Sequence, residues 1–381
     1  MTLDDDRTPL RIEAIERSID DLAAEFEAEA PRCEQARRPT DALADLMRRA
    51  RIPMSKVARE VGGCEISPAR QIDFFARLAY LNPTAGWIGF NYSGVLGILS
   101  ATLPEAGLEA LFSGSTCPLV AAVSAPTGRS EAVVGGYVVK GRWAYASGVT
   151  CADYVFLTTI GGDPPRPIGV LLPTNEICLH DDWHTAALQG TGSVDVSVEG
   201  VFVPKSMTCS PFEPIRGGAQ YRGLGYRGYV GGENFGFSLG VARRLVDETA
   251  ELTRTKRRVL DPTPVADRGA FQQALGRTDA SLRAARAYLM DEFDRAMALA
   301  EQSDAPLSPH ETARLGAAVG WATETVVQAA TQLFPYAGAG ALHVSSPIQR
   351  ALRDVIGSGQ HIVATNETLD AWGRALLEKA D

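Results

Sequence analysis

Apolar residues recur at helical spacing from Leu10 to about Ser113, in short β-type runs from Cys117 to about Val203, and at helical spacing again from Glu233 onward. In the first stretch Leu10, Ile12, Ile15, Ile19, Leu22 and Phe26 form an amphipathic stripe, and Thr40 caps a helix through Leu43, Leu46 and Met47. Ser67-Pro68 pairs an N-cap with a first-turn proline and opens a helix through Ile72, Phe75, Leu78 and Leu81. Asn82-Pro83-Thr84 ends it and starts another, Ala85 to about Leu99, whose Gly-rich apolar composition fits a helix buried on most sides or closely approached by a ligand. Pro104 opens a last short helix to Phe112.

The middle stretch holds short alternating or β-branched runs parted by Gly, Pro and Asp, which predict a compact antiparallel β-domain. One run, Ala132 to Tyr145, reads as a strand with a bend at Gly135-Gly136. On an extended chain Tyr145 and Ser147, two residues apart, face the same side. That side offers one flat ring and one small hydroxyl, an arrangement suited to a planar heterocycle with a polar edge. A Gly- and Tyr-rich connection follows, of a length that marks a lid or binding loop. Four long helices then read as an antiparallel bundle, the third opening at Ser308-Pro309 and the fourth near Pro347 with a break around Gly357 to Gly359. The division expected is an N-terminal helical domain over 1–115, a β-domain over 116–205, a lid over 206–232 and a helical bundle over 233–381.

Composition narrows the function classes. The 381 residues are 45% hydrophobic and 22% charged, ordinary for a globular chain, and a formal charge of −9 gives no general attraction to phosphate backbones or anionic lipid. Nucleic-acid and membrane roles are therefore disfavoured. Six cysteines lack CxxC spacing, and five histidines form no metal-binding pair, so neither a disulfide framework nor a metal site is expected. The start, Met-Thr-Leu-Asp-Asp-Asp, has no apolar signal core, and no long apolar run occurs; the expectation is a cytoplasmic protein.

Three stretches carry a resemblance. Gly141-Arg-Trp-Ala-Tyr-Ala-Ser-Gly148 with Ala152-Asp-Tyr is the first, and Trp183 to Ser193 running into Asp195-Val-Ser-Val-Glu-Gly-Val-Phe-Val-Pro204 is the second. Gln332 to Leu342, with Pro347-Ile-Gln-Arg350 and Arg353-Asp354, is the third. Together, in this order, they resemble the acyl-CoA dehydrogenase superfamily over nearly the whole chain. The resemblance implies an α+β multidomain fold: an N-terminal helical domain, a middle antiparallel β-barrel, a C-terminal four-helix bundle. It also implies a homotetramer and a flavin, FMN or FAD. It sets Ala122, Val123 and Ser124 with Tyr145 and Ser147 against the flavin ring, and makes Arg254 a candidate for the flavin phosphate tail of a neighbouring subunit.

The dehydrogenases of this superfamily need a carboxylate base to take a proton while hydride leaves for the flavin. Past Arg353-Asp354 the matching place holds His361-Ile362, and Glu367 lies more than a helical turn beyond. Glu233 stands near the alternative place for such a base but about one turn out of register. Gln360-His361 instead resembles the two-component flavin monooxygenases built on this fold, which receive reduced flavin from a separate NAD(P)H-flavin reductase. In that group His361 and Ser147 are implied as catalytic: the imidazole steadies a C4a-hydroperoxyflavin formed with O2, and the hydroxyl accepts from flavin N5–H. The implied activity is oxygenation of a small aromatic substrate. Asn91 and Tyr92 stand where several of these enzymes have a second His, and they become substrate-pocket candidates. Phe235 and Phe237 either line the substrate side or pack in the core. The alternatives left open are an acyl-CoA dehydrogenase with a displaced base, an N-oxygenase of an amino sugar, and a non-catalytic nucleic-acid-binding member.

Overall fold

The computed structural model describes residues 9–378, apart from 115, 260 and 304. In chain order the helices are α1 (Ile12–Asp21), α2 (Ala23–Ala36), α3 (Asp41–Arg49), α4 (Pro68–Leu81), α5 (Pro83–Thr102) and α6 (Glu105–Leu111). Strands follow as β1 (Val120–Val133), β2 (Gly136–Trp143), β3 (Tyr154–Gly161), β4 (Arg166–Pro173), β5 (Cys178–Leu179), β6 (Val196–Pro204) and β7 (Thr208–Cys209). Then come α7 (Ala219–Arg222), α8 (Gly225–Thr255), the short ribbon β8 (Arg257–Arg258) and β9 (Asp261–Pro264), α9 (Gly269–Glu301), α10 (Pro309–Leu333), α11 (Pro347–Ser358) and α12 (Glu367–Leu377).

The chain divides into two compact units. The first takes the chain up to Ile66, Trp87–Thr185 and Gln189–Arg222; the second takes Ser67–Gly86, Ala186–Leu188 and Gly223 onward. Local chemistry places several of the helix starts. Thr40 Oγ1 accepts from Leu43 N at 3.1 Å, Ser67 Oγ from Arg70 N at 3.4 Å and Ser308 Oγ from Glu311 N at 3.2 Å, each relieving an orphaned first-turn donor. The apolar stripe at the N-terminal end breaks at Leu22 into two helices, where the sequence suggests one.

Within the first unit the strands form one sheet in the order β5-β6-β2-β1-β3-β4-β7. The expected all-antiparallel pattern is corrected: β1 and β3 run parallel, with Val120 opposite Tyr154 and Arg129 opposite Ile160, so the sheet is mixed. The run expected as one strand from Ala132 to Tyr145 is a hairpin, turning at Val134-Gly135 with Gly135 at φ 84° and Val133 opposite Gly136. Trp143 closes β2 in the core, its Nε1 donating to Thr158 O at 2.8 Å, and Gly128 makes room, since a Cβ there would lie 1.9 Å from the indole.

Within the second unit α8 packs on α4, α9, α10 and α11. The contact with α4 depends on missing side chains. A Cβ at Gly232, Gly236 or Gly240 would lie 2.5, 2.6 and 2.1 Å from the carbonyl oxygens of Pro68, Ile72 and Ala76 respectively. Three glycines four residues apart therefore let one backbone rest directly on another. α8 also begins at Gly225, eight residues ahead of the Glu233 start expected for it.

Candidate functional site

In the first unit the chemistry gathers at the turn leaving β2. Tyr145 sits at φ 72°, and Ser147 N donates to Tyr145 O at 3.0 Å, so the chain is tightly turned here and not extended. The expectation that Tyr145 and Ser147 share a side fails for that reason. Tyr145 is 69% exposed, edge-on to Trp183 at 6.1 Å, whereas Ser147 is 7% exposed. Gly148, at φ 75°, donates to Thr191 O at 2.8 Å, and Ala146 N donates to Val194 O at 3.0 Å, which ties the turn to the Gly190-Thr-Gly-Ser193 segment.

The Ser147 hydroxyl lies in a buried polar chain. Trp87 Nε1 donates to Ser147 Oγ at 3.1 Å, Ser147 Oγ pairs with Ser193 Oγ at 2.8 Å, and Ser193 Oγ with Thr191 Oγ1 at 2.7 Å. Tyr92 is fully buried and its hydroxyl donates to Gly148 O at 2.7 Å; burial pushes this phenol well above its ordinary pKa, so it stays a donor that props the turn. Asn91 is half-buried, with Nδ2 donating to Trp87 O at 2.8 Å.

Ala122, Val123 and Ser124 lie where β1 leaves β3. Val123 pairs with Leu157, then the register shifts before Gly128. Val123 is buried and Ala122 half-buried, while Ser124 to Thr127 are exposed. The Asp153 of the first stretch is structural: Arg48 holds its carboxylate by two hydrogen bonds at 2.7 and 3.0 Å, and Leu119 N donates to it at 2.8 Å.

In the second unit, Arg353-Asp354 on α11 grips the segment Ala186–Leu188. Asp354 Oδ1 accepts from Leu188 N at 2.6 Å, and Arg353 Nη1 donates to Ala186 O. Past Ser358 the helix gives way to His361, which is not inside a helix but caps the short turn Ile362–Ala364. Its Nδ1 accepts from Val363 N at 3.4 Å, so the neutral ring carries its proton on Nε2. Surrounding atoms crowd this half-buried imidazole enough that desolvation lowers its pKa from 6.5 to about 4.

Phe235 and Phe237 are both fully buried on α8, as is Glu233 between them and the α8 N-terminus. Arg254 is exposed at the other end of α8 and pairs with Glu251 at 3.3 Å. The polar partners of Ser147, Trp87 and Ser193, escaped sequence reasoning, although the hydroxyls of the Gly-Thr-Gly-Ser segment were a visible signal beyond its turn. Among the described residues no helix is long and apolar enough to cross a membrane.

Residues 236–366 match the family model described as acyl-CoA dehydrogenase, C-terminal domain. The pigment production hydroxylase of Rhodococcus sp. (strain ATCC 21145) is 26% identical over 97% of both chains. The indole-3-acetate monooxygenase of Pseudomonas putida is 27% identical over 85% of this chain and 83% of its own. XiaF from Streptomyces sp., solved in complex with FADH2 and glycerol, superposes with a TM-score of 0.85 at 23% identity, over 96% of this chain and 95% of that one. The chain has an acyl-CoA dehydrogenase-like fold, and the proteins it resembles are the oxygenase components of flavin-dependent two-component monooxygenases.

Proposed function

We propose that this chain is the oxygenase component of a two-component system, taking reduced flavin from a separate NAD(P)H-flavin reductase and, with O2, adding one oxygen atom to a small aromatic substrate. What supports the reading is His361: an imidazole kept neutral by desolvation follows Arg353-Asp354, where the resemblance sets a carboxylate in the dehydrogenases of this fold. A ring whose conjugate acid is lowered to a pKa of about 4 is a weak base for removing a carbon-bound proton, but its Nε2–H can donate to a reacting oxygen. The similar proteins named as a hydroxylase and an indole-3-acetate monooxygenase support oxygenation of an aromatic ring.

The residues fit a reduced flavin. With Trp87 donating to Ser147 Oγ, the orientation in which the Ser147 hydroxyl donates to Ser193 leaves one lone pair of Ser147 to accept a hydrogen bond. The N5–H of a reduced flavin is such a donor. When bound, reduced flavin supplies the two electrons that activate O2. The protein's part is to hold the ring edge through Ser147, to keep a proton on His361 Nε2, and to exclude water.

In this reading Ala122, Val123, Ser124 and Tyr145 border the flavin, and Asn91, Tyr92, Phe235 and Phe237 belong to the substrate side. Arg254 serves the phosphate tail of FMN or FAD in a homotetramer, where residues 116–205 form a barrel, residues 206–232 a lid and residues 233–381 a four-helix bundle.

The test supplies reduced FMN or FAD with indole-type aromatics under 18O2. The expected result is a product with one labelled oxygen; His361→Ala lowers product per flavin oxidised at least about tenfold and releases hydrogen peroxide instead. Bleaching of bound oxidised flavin by an acyl-CoA, with no labelled product, would replace this reading with desaturation.

A further inference from the structure

The second unit carries a cavity of about 470 Å³, bordered by α4, α8 and α9, and none of the residues assigned above to flavin or substrate lines it. Its origin is the close backbone contact of α4 and α8. A Cβ at Gly240 would lie 2.1 Å from Ala76 O, so the helices meet there without side chains, and both residues line the open space that remains. Leu239 and Leu282, both buried, give the cavity an apolar wall. Arg77, Arg243, Arg283 and Arg286 complete it, and no carboxylate lines it. In a chain of formal charge −9, a concave wall with four guanidiniums is a local attractor for anions.

Two of these guanidiniums are pinned by acids outside the lining. Arg286 Nε and Nη2 donate to the two oxygens of Asp73 at 2.7 and 2.5 Å, and Arg243 Nη1 donates to Asp279 at 2.9 Å. Arg283 approaches the other oxygen of Asp279 at 3.8 Å. Each pair engages only part of a fork: Arg286 Nη1 and Arg243 Nε and Nη2 have no protein acceptor among the described residues. A fork already fixed on one edge loses little freedom when its other edge takes an oxyanion, and the flat face of a guanidinium also stacks on rings. The shape selects the size of the occupant. A protein partner needs roughly 800 Å² of matched surface on each side, whereas a concavity of this volume suits a small molecule.

We infer that this cavity is a second ligand site, taking a small organic anion whose carboxylate or phosphate monoester is carried on an apolar body of one or two rings. Arg243, Arg283 and Arg286 receive the anionic head, and Leu239 and Leu282 receive the rings. The inference stands apart from the oxygenase reading, because it uses neither flavin nor oxygen.

Isothermal titration calorimetry of the full chain compares naphthoate and naphthyl phosphate with neutral naphthamide and with inorganic phosphate. An aryl anion is expected to bind at least about tenfold more tightly than either the amide or inorganic phosphate, and the tighter of the two aryl anions names the head group. Added salt weakens the anion and leaves the amide unchanged. Arg283→Glu, at a position whose side chain is 78% exposed, lowers the anion's affinity at least about tenfold, and Arg283→Lys recovers most of it. Arg243→Gln removes a second charge from the wall and gives a loss in the same direction. Amide bound as tightly as the aryl anions overturns the inference, as does inorganic phosphate bound as tightly. Anion affinity that Arg283→Glu and Arg243→Gln both leave at the wild-type value places the ligand elsewhere on the chain and also overturns it, and so does a wild type that binds no aryl anion.

Discussion

His361 is kept neutral by desolvation, and that has a consequence for stability. Its pKa is about 4 in the folded protein against 6.5 as its ordinary value. Between those pH values the unfolded chain binds a proton that the folded chain refuses. Stability is therefore fully present above pH 6.5 and drains as pH falls towards 4, by on the order of 3 kcal/mol in total. Thermal unfolding of wild type and His361→Gln across pH 4 to 8 checks this. Wild type is expected to lose more than the variant on acidification, and parallel curves would show that the imidazole is not desolvated. By the same shift, the pH profile of oxygenation should lack a histidine limb near 6.5.

At the scale of elements, the α4–α8 contact shows how the chain spends its glycines. Gly236→Ala sets a methyl group 2.6 Å from Ile72 O, a backbone atom that cannot step aside, and is expected to cost about 1–3 kcal/mol. Gly276→Ala on α9 meets nothing within 4 Å and should instead stabilise by about 0.5–1 kcal/mol. Urea unfolding of the two variants distinguishes a packing glycine from a dispensable one. The same contrast explains what the sequence disclosed. The starts of α3, α4 and α10 were legible because Thr40, Ser67 and Ser308 act on donors three residues away. The early start of α8 was not, because Gly225 to Gly232 has the composition of a loop and takes its helical form where it packs against α4, α9 and α10. At the candidate site, His361 and Ser147 were found through aligned motifs. The left-handed turn at Tyr145 depends on tertiary context that no local spacing carries.

At the scale of the whole molecule, the proposed homotetramer has to overcome a formal charge of −9 on each copy. Association must then be driven by apolar surface, and the second unit offers some. Tyr288 on α9 and Trp321 on α10 are 40% and 41% exposed and meet edge-on at 5.3 Å. Single exposed apolar residues are ordinary, but two large rings packed edge-on on adjacent helices fit the centre of an interface, where aromatic residues concentrate. A carboxylate at that point would add to the repulsion and be stripped of water on assembly, while costing an isolated copy little because the position is half exposed. Trp321→Glu is therefore expected to sediment as smaller species with its helical content and melting temperature nearly intact, and added salt should favour the wild-type assembly by screening charge between copies. A wild type that sediments as a monomer at micromolar concentration would leave the rings without this role, and would also remove the neighbouring copy that Arg254 needs in order to reach a flavin phosphate.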